Sequence, residues 1–243
     1  YDIVTPSAYR IVRVMFISMV GYSFIACLFQ ALDLWKSFKV PNFKPNTKKK
    51  KLYLFPAVLT SLNLWFYFFP ILLQVYLEAS GTHSVRYEDI SQYGWAYFFT
   101  SIFLMMLLQD SAFYWIHYML HHSKYGSKIH GTHHQFVDVT PFSAYAFHFL
   151  EGLLISLPYY IILLVIPWHQ NALMCFILIA IFYNGYIHSG YDLPLFKKWP
   201  VKFILNSSTR HSIHHQIGKG NLGFFFLFWD KWMKTEIQQG SLK

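Results

Sequence analysis

The chain has 243 residues, of which 55% are hydrophobic, 21% aromatic and 13% charged, and its mean hydropathy is +0.30. A soluble domain usually carries about 25% charged residues, so this composition excludes an ordinary soluble protein and predicts an integral membrane protein. The net charge of +9 does not indicate a nucleic-acid partner, because the basic residues flank apolar runs and no nucleic-acid-binding motif is present.

Five apolar segments follow one another along the chain, at residues 14–34, 52–77, 97–108, 149–166 and 171–187. The first two are long enough to cross a hydrocarbon layer of about 30 Å as helices. The third continues without a helix breaker to His121, so its end is expected to project beyond the bilayer. The last two are short for a span and are expected to form a hairpin around Pro167-Trp168-His169.

These segments predict an all-α, multi-pass integral membrane protein with about four to five membrane helices. We expect one membrane-embedded domain over residues 1–243. A His-rich helical region that could hold two metal ions, over about residues 95–235, is expected on one face of the membrane.

The distribution of positive charge predicts on which side the histidines lie. Residues 36–51 carry seven lysines and no acid, which the positive-inside rule assigns to the cytoplasmic side or its equivalent. The second and third apolar segments cross the membrane and return, which places residues 110–148 on the side of the lysines. The hairpin then returns the chain to that side, so residues 188–243 lie there as well. Arg10 and Arg13 fall on the opposite side, so either the N-terminal residues lie along the interface or the first span is misplaced.

Three short boxes of histidines are the strongest chemical signal in the sequence. Side chains three or four residues apart on a helix share one face. Because all three boxes fall on one side of the predicted topology, they can close around a common centre once the chain folds back. The boxes are His117 and His121; His130, His133 and His134; and His211, His214 and His215.

The number of imidazoles indicates two metal ions. A structural zinc ion takes four ligands and a catalytic zinc ion takes three and a water, so these boxes hold about twice what one zinc uses. Imidazole also suits iron, copper and nickel, so the ligands alone do not identify the metal. Two neighbouring irons can activate O2 to oxidise an unactivated C–H bond, a chemistry suited to a protein surrounded by lipid.

The remaining histidines have simpler interpretations. His83 and His169 are expected to be interfacial polar residues near helix ends. His122 turns away from the face shared by His117 and His121, so we expect it at the surface or behind a ligand.

In their order and spacing, the three boxes resemble those of the fatty acid hydroxylase and sterol desaturase superfamily, over roughly residues 95–235. The stretch from Thr140 to Gly152 is similar to the corresponding region of sterol C5-desaturases. The segment from Ile187 to Pro194 is closer to C4-methylsterol oxidases and sterol 25-hydroxylases. Gly220-Asn221 and Trp229-Asp230-Lys231 are similar to a tail shared across the superfamily.

The resemblance implies a catalytic di-metal site with nine histidine ligands. It implies two non-haem irons, with zinc possible in a purified sample, and O2 as co-substrate. In hydroxylases of this superfamily a further histidine can stand four residues before His188, but here that position is Asn184, so an amide or a water would replace one ligand. The implied ligands are His117, His121, His130, His133, His134, His188, His211, His214 and His215.

Several polar residues near the boxes are expected to support the ligands. Ligand histidines usually donate their second nitrogen to a carboxylate or carbonyl, which suggests this role for His148 and Glu151 or a role in orienting the substrate. Asp110, Asp138 and Asp192 are further candidates, and each could equally be a helix cap or a surface acid.

The first functional hypothesis is a membrane oxidoreductase of sterol biosynthesis that desaturates or hydroxylates a sterol or related lipid. Its electrons would come from a cytochrome b5-type carrier or a reductase docked on the His-rich face. The second is a hydroxylase of fatty acyl or sphingoid chains on the same scaffold. The third is a non-catalytic accessory subunit with partners in a larger membrane complex. The resemblance places the protein in the endoplasmic reticulum, with a mitochondrial or bacterial inner membrane as the alternative.

Overall fold

The chain is predominantly helical over the residues that the computed structural model describes, which confirms the predicted helical class for that part of the protein. These are residues 85–137 and 139–238, with separate positions at 16, 20–24, 28, 60, 63, 73, 76, 77 and 80. The helices are α1 (Gly94–His122), α2 (Lys124–His134), α3 (Phe149–Val165), α4 (Gln170–Ile187), α5 (Val201–Ile204), α6 (Ser208–Ile217) and α7 (Phe228–Trp232). Two short strands, β1 (Arg86–Tyr87) and β2 (Trp168–His169), pair in parallel.

Helix α1 carries both an apolar membrane-length segment and the first histidine box. It has 29 residues, which corresponds to a length of about 43 Å. Met105 and Tyr114 are fully buried, whereas Trp95, Phe99 and Phe103, which share one face of the helix at four-residue spacing, are exposed. The prediction that the third apolar segment continues as one helix into the first box is therefore confirmed. An outward apolar face of this length is typical of a helix surrounded by lipid.

The predicted hairpin is present as α3 and α4 joined through β2. The turn is tied to the start of α1, since Tyr97 Oη donates to the Pro167 carbonyl at 2.9 Å and Trp168 is in register with Arg86 in the β1–β2 pair. Within the described residues, α1 and α4 are long and apolar enough to cross a membrane, and α3 is a shorter apolar helix.

The first two predicted spans, at 14–34 and 52–77, lie almost wholly outside the described residues, so the total number of spans stays a prediction. The lysine-rich segment 36–51, His83 and Asp138 also lie outside them. Three described positions in the N-terminal part do contact the segment 141–147. Tyr22 Oη donates to the Pro141 carbonyl, Thr60 Oγ1 to the Phe142 carbonyl, and Asn63 Nδ2 to the Tyr145 and Phe147 carbonyls.

Two buried carboxylates anchor the segment 222–226, which follows the third histidine box. Asp110 on α1 accepts hydrogen bonds from the backbone N–H groups of residues 224, 225 and 226. Asp230 on α7 accepts from those of residues 222 and 223, each at 2.8 Å, and from Thr235 Oγ1 at 2.7 Å. Five consecutive N–H groups that cannot reach water are thereby satisfied. Asp110, one of the residues suggested as ligand support, bonds this segment and not a histidine ring.

Replacing Asp230 by Asn should loosen this segment. An amide presents one acceptor oxygen and turns an NH2 group towards a backbone donor, so at least one charge-assisted bond is lost and one donor is left buried. We expect a loss of about 2–4 kcal/mol in the free energy of unfolding, measured by thermal unfolding in detergent. Asp89→Asn is the matched control, because that exposed carboxylate caps only a short turn through Ser91 and should change stability by less than about 0.5 kcal/mol. Equal shifts for both variants would contradict the anchoring role.

Candidate metal centre

A sharp reversal after α1 brings the first two histidine boxes face to face. Ser123 alone separates α1 from α2, and its side chain caps α2 by accepting from Gly126 N at 2.9 Å. Gly126 packs so closely on α1 that an added Cβ would lie 2.6 Å from Leu120 Cα. A larger residue at this position would force the two helices apart.

The third box lies on α6, whose ends are fixed by local capping. Ser207 accepts a hydrogen bond from the backbone of Arg210, and Gly218 ends the helix in the left-handed conformation. Asp192 accepts from both the backbone N–H and the hydroxyl of Thr209. Of the three roles considered for Asp192, which were ligand support, helix cap and surface acid, the structure therefore supports the helix cap.

All nine predicted histidines lie together in two neighbouring groups. Within each group, one ring nitrogen of every member lies within 4.8 Å of the others. The second and third boxes divide between the groups, so neither group belongs to one stretch of sequence. The five-histidine group is His117, His121, His130, His134 and His214, and the four-histidine group is His133, His188, His211 and His215.

The spacing of the Nε2 atoms fits ligands that share a cation. A metal ion bound at about 2.0–2.1 Å from each nitrogen places adjacent ligand nitrogens about 2.9–3.4 Å apart, for angles between octahedral and tetrahedral. The closest Nε2 pairs fall within this range. They are His117–His130 (2.9 Å), His130–His134 (3.0 Å), His121–His134 (3.3 Å) and His121–His214 (3.3 Å) in the first group, and His188–His211 (2.9 Å), His211–His215 (3.1 Å) and His133–His188 (3.4 Å) in the second.

Backbone carbonyls fix the tautomer of three of these rings. A carbonyl can only accept, so the Nδ1 atom bonded to it carries the proton and the Nε2 lone pair faces the centre of the group. Two neutral Nε2 atoms facing each other at about 3 Å repel unless a cation lies between them. The bonds run from His117 to Leu222 (2.9 Å), from His214 to Gly220 (2.7 Å) and from His188 to Asn184 (2.9 Å).

A carboxylate holds a fourth ring. His130 Nδ1 donates to Glu151 Oε1 at 2.6 Å, and both side chains are buried. Glu151 therefore lies where it was expected, behind a candidate ligand. His148 does not join it, because its Nδ1 accepts from Leu150 N and caps α3.

The other described histidines lie outside both groups. His122 is exposed at the end of α1, where it stacks on Tyr118 at a ring-centroid distance of 3.8 Å. His169 caps α4 by accepting from Asn171 N, and its Nε2 bonds the Glu88 carbonyl at 3.1 Å.

Burial keeps the grouped imidazoles neutral. It lowers the pKa of His133, His211 and His215 well below the usual value of a histidine, and neighbouring imidazoles lower it further. Burial also lowers the pKa of His188 to about 4, although its bond to the Asn184 carbonyl acts in the opposite direction. A neutral ring is the form that binds a metal ion, so these groups are ready to act as ligands near pH 7.

The two groups differ in how firmly their rings are held. In the four-histidine group, the Nδ1 atoms of His133, His211 and His215 are buried and have no hydrogen-bond partner among the described residues. Asn184 stands beside this group, but its side-chain amide donates to the Ala144 carbonyl at 3.3 Å. The four-histidine group is thus the less constrained site, with fewer protein ligands.

A cavity of about 40 Å³ lies against both groups. Its wall includes rings from each group together with apolar side chains from α1, α3 and the segment 222–226. The main lining residues are His117, His130, His133, His188, Gln109, Glu151, Phe147 and Phe224.

The sequence did not identify the residues that hold the imidazole rings in position from the side facing away from the centre of each group. Gly220, Leu222 and Asp230 were part of, or adjacent to, the tail motif similar to the superfamily, but the motif did not indicate what each residue does. Gly220 and Leu222 act through their backbone carbonyls and Asp230 bonds backbone N–H groups, so the side-chain types in the motif do not reveal these contacts.

Comparison with known proteins gives one family and a consistent set of relatives. The fatty acid hydroxylase family model matches residues 102–235, more than half of the chain. A Delta(7)-sterol 5(6)-desaturase of Gibberella zeae is 28% identical over 224 residues, which cover 90% of this chain and 67% of that protein. The lathosterol oxidase of Mus musculus is 31% identical over 196 residues, which cover 79% of this chain and 62% of that protein. The chain thus spans less than two thirds of the mouse protein, and no solved structure matches it.

Gly220→Ala should weaken metal binding by disturbing the bond between the Gly220 carbonyl and the ring of His214. Gly220 has φ +64°, and an added Cβ would meet the Thr235 carbonyl at 2.6 Å, so the carbonyl that accepts from His214 must move. Loss of such a bond typically lowers metal affinity about 10–100-fold. Gly94→Ala is the matched control, since Gly94 has φ +78°, open space around its Cβ and a position at the opposite end of α1 from the histidines. Both variants carry the same backbone strain, so equal metal content after dialysis against a chelator would argue against the carbonyl's role.

Metal ions bound to the two histidine groups should be released to a chelator at different rates. The less constrained four-histidine group should lose its ion at least about 10-fold faster, because its rings lack orienting bonds. Metal per chain, followed against time in chelator, should show two phases. His133→Ala should remove the fast phase and His214→Ala the slow one. A single phase, or the reverse assignment, would show that the orienting bonds do not govern affinity.

Proposed function

The chain belongs to the fatty acid hydroxylase family, and we propose that it is a membrane sterol desaturase whose two histidine groups hold two iron ions. The observation that carries this proposal is the gathering of nine buried or half-buried imidazoles into two adjacent groups at metal-ligand spacing. Each of the nine would bind through one ring nitrogen. Zinc could occupy the same ligands in a purified sample, since imidazole suits both metals.

The relatives support a sterol as the substrate. Their names describe oxidation of a Delta(7)-sterol and of lathosterol, at the 5(6) position for the former. Desaturation removes two vicinal hydrogens from the sterol. With O2, two electrons and two protons, the balanced products are the alkene and two water molecules.

Bound iron would supply O2 activation and the oxidising power to break an unactivated C–H bond. The protein's own residues prepare the site for this chemistry. The carbonyls of Gly220, Leu222 and Asn184 and the carboxylate of Glu151 hold the imidazole rings in one orientation. No reorganisation of these groups is then needed during the reaction.

Apolar side chains limit the access of water to the reacting face. Phe113, Phe147, Ile155 and Phe224 line the cavity next to the histidines, and the cavity admits only a few water-sized molecules. A dry wall favours oxidation of the substrate over side reactions with solvent. The less constrained four-histidine group has the fewer protein ligands, which leaves more room there for O2 and the substrate.

The electron donor would dock on the His-rich face. Lys124, Lys128 and Lys219 are exposed around the ends of α2 and α6, close to the histidine boxes. Such a basic surface favours an acidic partner, as expected for a cytochrome b5-type carrier or a reductase domain. The endoplasmic reticulum is the membrane we propose.

Hydroxylation of a fatty acyl chain is the second candidate, and the description of the matching family model favours it. Both candidates use the same ligands and the same co-substrate. They differ in the lipid that would change when the protein is removed, so lipid analysis separates them.

The proposed function can be tested in a yeast strain that lacks its own sterol 5(6)-desaturase. The wild-type chain should restore the 5(6)-unsaturated sterol, measured by gas chromatography and mass spectrometry. His133→Ala and His214→Ala should reduce product below detection and lower the metal content of the purified protein. His122→Ala is the matched control, because this exposed ring adjoins the first box but belongs to neither group, and it should retain at least about 80% of product.

Other results would overturn the proposal in distinct ways. Unchanged sterols with an altered acyl or ceramide pattern would favour the second candidate. Full turnover by the His133 and His214 variants would remove the catalytic assignment of the two groups.

A further inference from the structure

Two buried oxygen atoms on the cavity wall lack a hydrogen-bond donor among the described residues. They are Gln109 Oε1 on α1 and Glu151 Oε2 on α3. The two side chains are 2% and 1% exposed, and both line the cavity next to the histidine groups. A buried acceptor without a donor is costly, so a pair of them beside one cavity calls for a ligand that donates.

The orientation of both groups is fixed by their other bonds. Gln109 Nε2 donates to the Ile155 carbonyl at 3.4 Å, which turns the amide oxygen away from that carbonyl. Glu151 uses Oε1 to accept from His130, which leaves Oε2 for another donor. Glu151 and Ile155 are one turn apart on the same face of α3, so both side chains lie where α1 packs against α3, on the wall of one cavity.

We propose that Gln109 and Glu151 form a two-acceptor site for an O–H group. The ligand is either the hydroxyl of the sterol or a bound water, and the sterol source rests on the proposed function. The cavity of about 40 Å³ has room for such a group. Tyr145, Tyr159 and Asn184 also line this wall. Among the lining residues that the structure describes, Gln109 and Glu151 carry the buried oxygen atoms without a donor, so these two oxygens are the acceptors that would orient the group.

A hydroxyl held at this site would set the position of the carbon atoms that face the histidines. The site lies against both groups, since His117, His130, His133 and His188 line the same cavity. Sites built to hydrogen-bond a substrate hydroxyl reject analogues that lack it far more strongly than apolar pockets reject a missing methylene. The pair would therefore contribute to both substrate choice and the position of oxidation.

The test uses Gln109→Met in the purified, metal-loaded protein. Methionine keeps the length of the side chain and removes both polar atoms. Ser156→Ala is the matched control, because this buried hydroxyl bonds within α3 to Leu153 and does not line the cavity. The readouts are the unfolding temperature without added sterol, its increase on adding a sterol or the analogue with hydrogen in place of the hydroxyl, and the metal content.

If the ligand is a water, Gln109→Met should lower the unfolding temperature without sterol by more than Ser156→Ala does, since each variant also loses one bond to a backbone carbonyl. If the ligand is the sterol hydroxyl, the variant should lose most of the increase in unfolding temperature that the sterol causes, and its dissociation constant for the sterol should rise at least about 10-fold. The increase in unfolding temperature that the analogue causes should stay the same. An unchanged or higher unfolding temperature together with unchanged sterol binding overturns the site. Loss of metal in the variant also overturns it, since Gln109 would then act on the ligands.

Failure of the proposed function gives a different result from failure of this site. A wild-type protein that binds sterols and leaves them unoxidised contradicts the desaturase assignment. In that case the unfolding temperature of Gln109→Met, and the difference between its affinities for the sterol and for the analogue, still decide whether the two oxygens hold an O–H group.

Discussion

Backbone polar groups that cannot reach water determine how the histidines of this protein are held. The N–H groups of residues 222–226 all point to two buried carboxylates, Asp110 and Asp230. With its N–H groups fixed in this way, the segment presents carbonyls to the histidine rings. The Gly220 and Leu222 carbonyls then accept from His214 and His117. The carboxylates thus hold the backbone, the backbone holds the imidazole rings, and the rings form the candidate metal site.

The two histidine groups differ in the number of hydrogen bonds that orient their rings. The five-histidine group is supported by the segment 220–226 and by Glu151, which belong to parts of the fold with many fixed bonds. The four-histidine group receives one such bond, from His188 to the Asn184 carbonyl, and three of its Nδ1 atoms have no partner among the described residues. In the proposed reaction, one site would hold its ion firmly while the other has ligand positions free for small molecules.

The sequence predicted the parts of the centre that depend on local periodicity. Histidines three or four residues apart had to share a helix face, and an apolar run without a breaker had to carry His117 and His121 at its end. Convergence of the boxes followed from charge and span order, and the structure confirms that the boxes converge. The position of Glu151 behind a ring was also predicted correctly.

What could not be predicted depends on how helices pack against each other. His133 and His134 are neighbours in sequence but join different groups: His134 meets the rings of α1, His133 meets His188 at the end of α4, and α6 supplies rings to both groups. Asp110 could have been a cap, a surface acid or a support for a ligand, and its partners lie more than 110 residues away along the chain. Such contacts leave no local pattern in the sequence.

The length of α1 sets the height of the centre relative to the proposed bilayer. A hydrocarbon layer of about 30 Å takes about 20 helical residues. If the layer begins near Gly94, it ends near Tyr114, and the rise per residue puts His117 about 5 Å and His121 about 10 Å beyond it. Gln109 then lies about 8 Å inside the layer. A lipid substrate would need to rise by only about one or two helical turns to reach the histidines, so as a membrane-spanning helix α1 would also bring the proposed reaction to the level of the lipid headgroups.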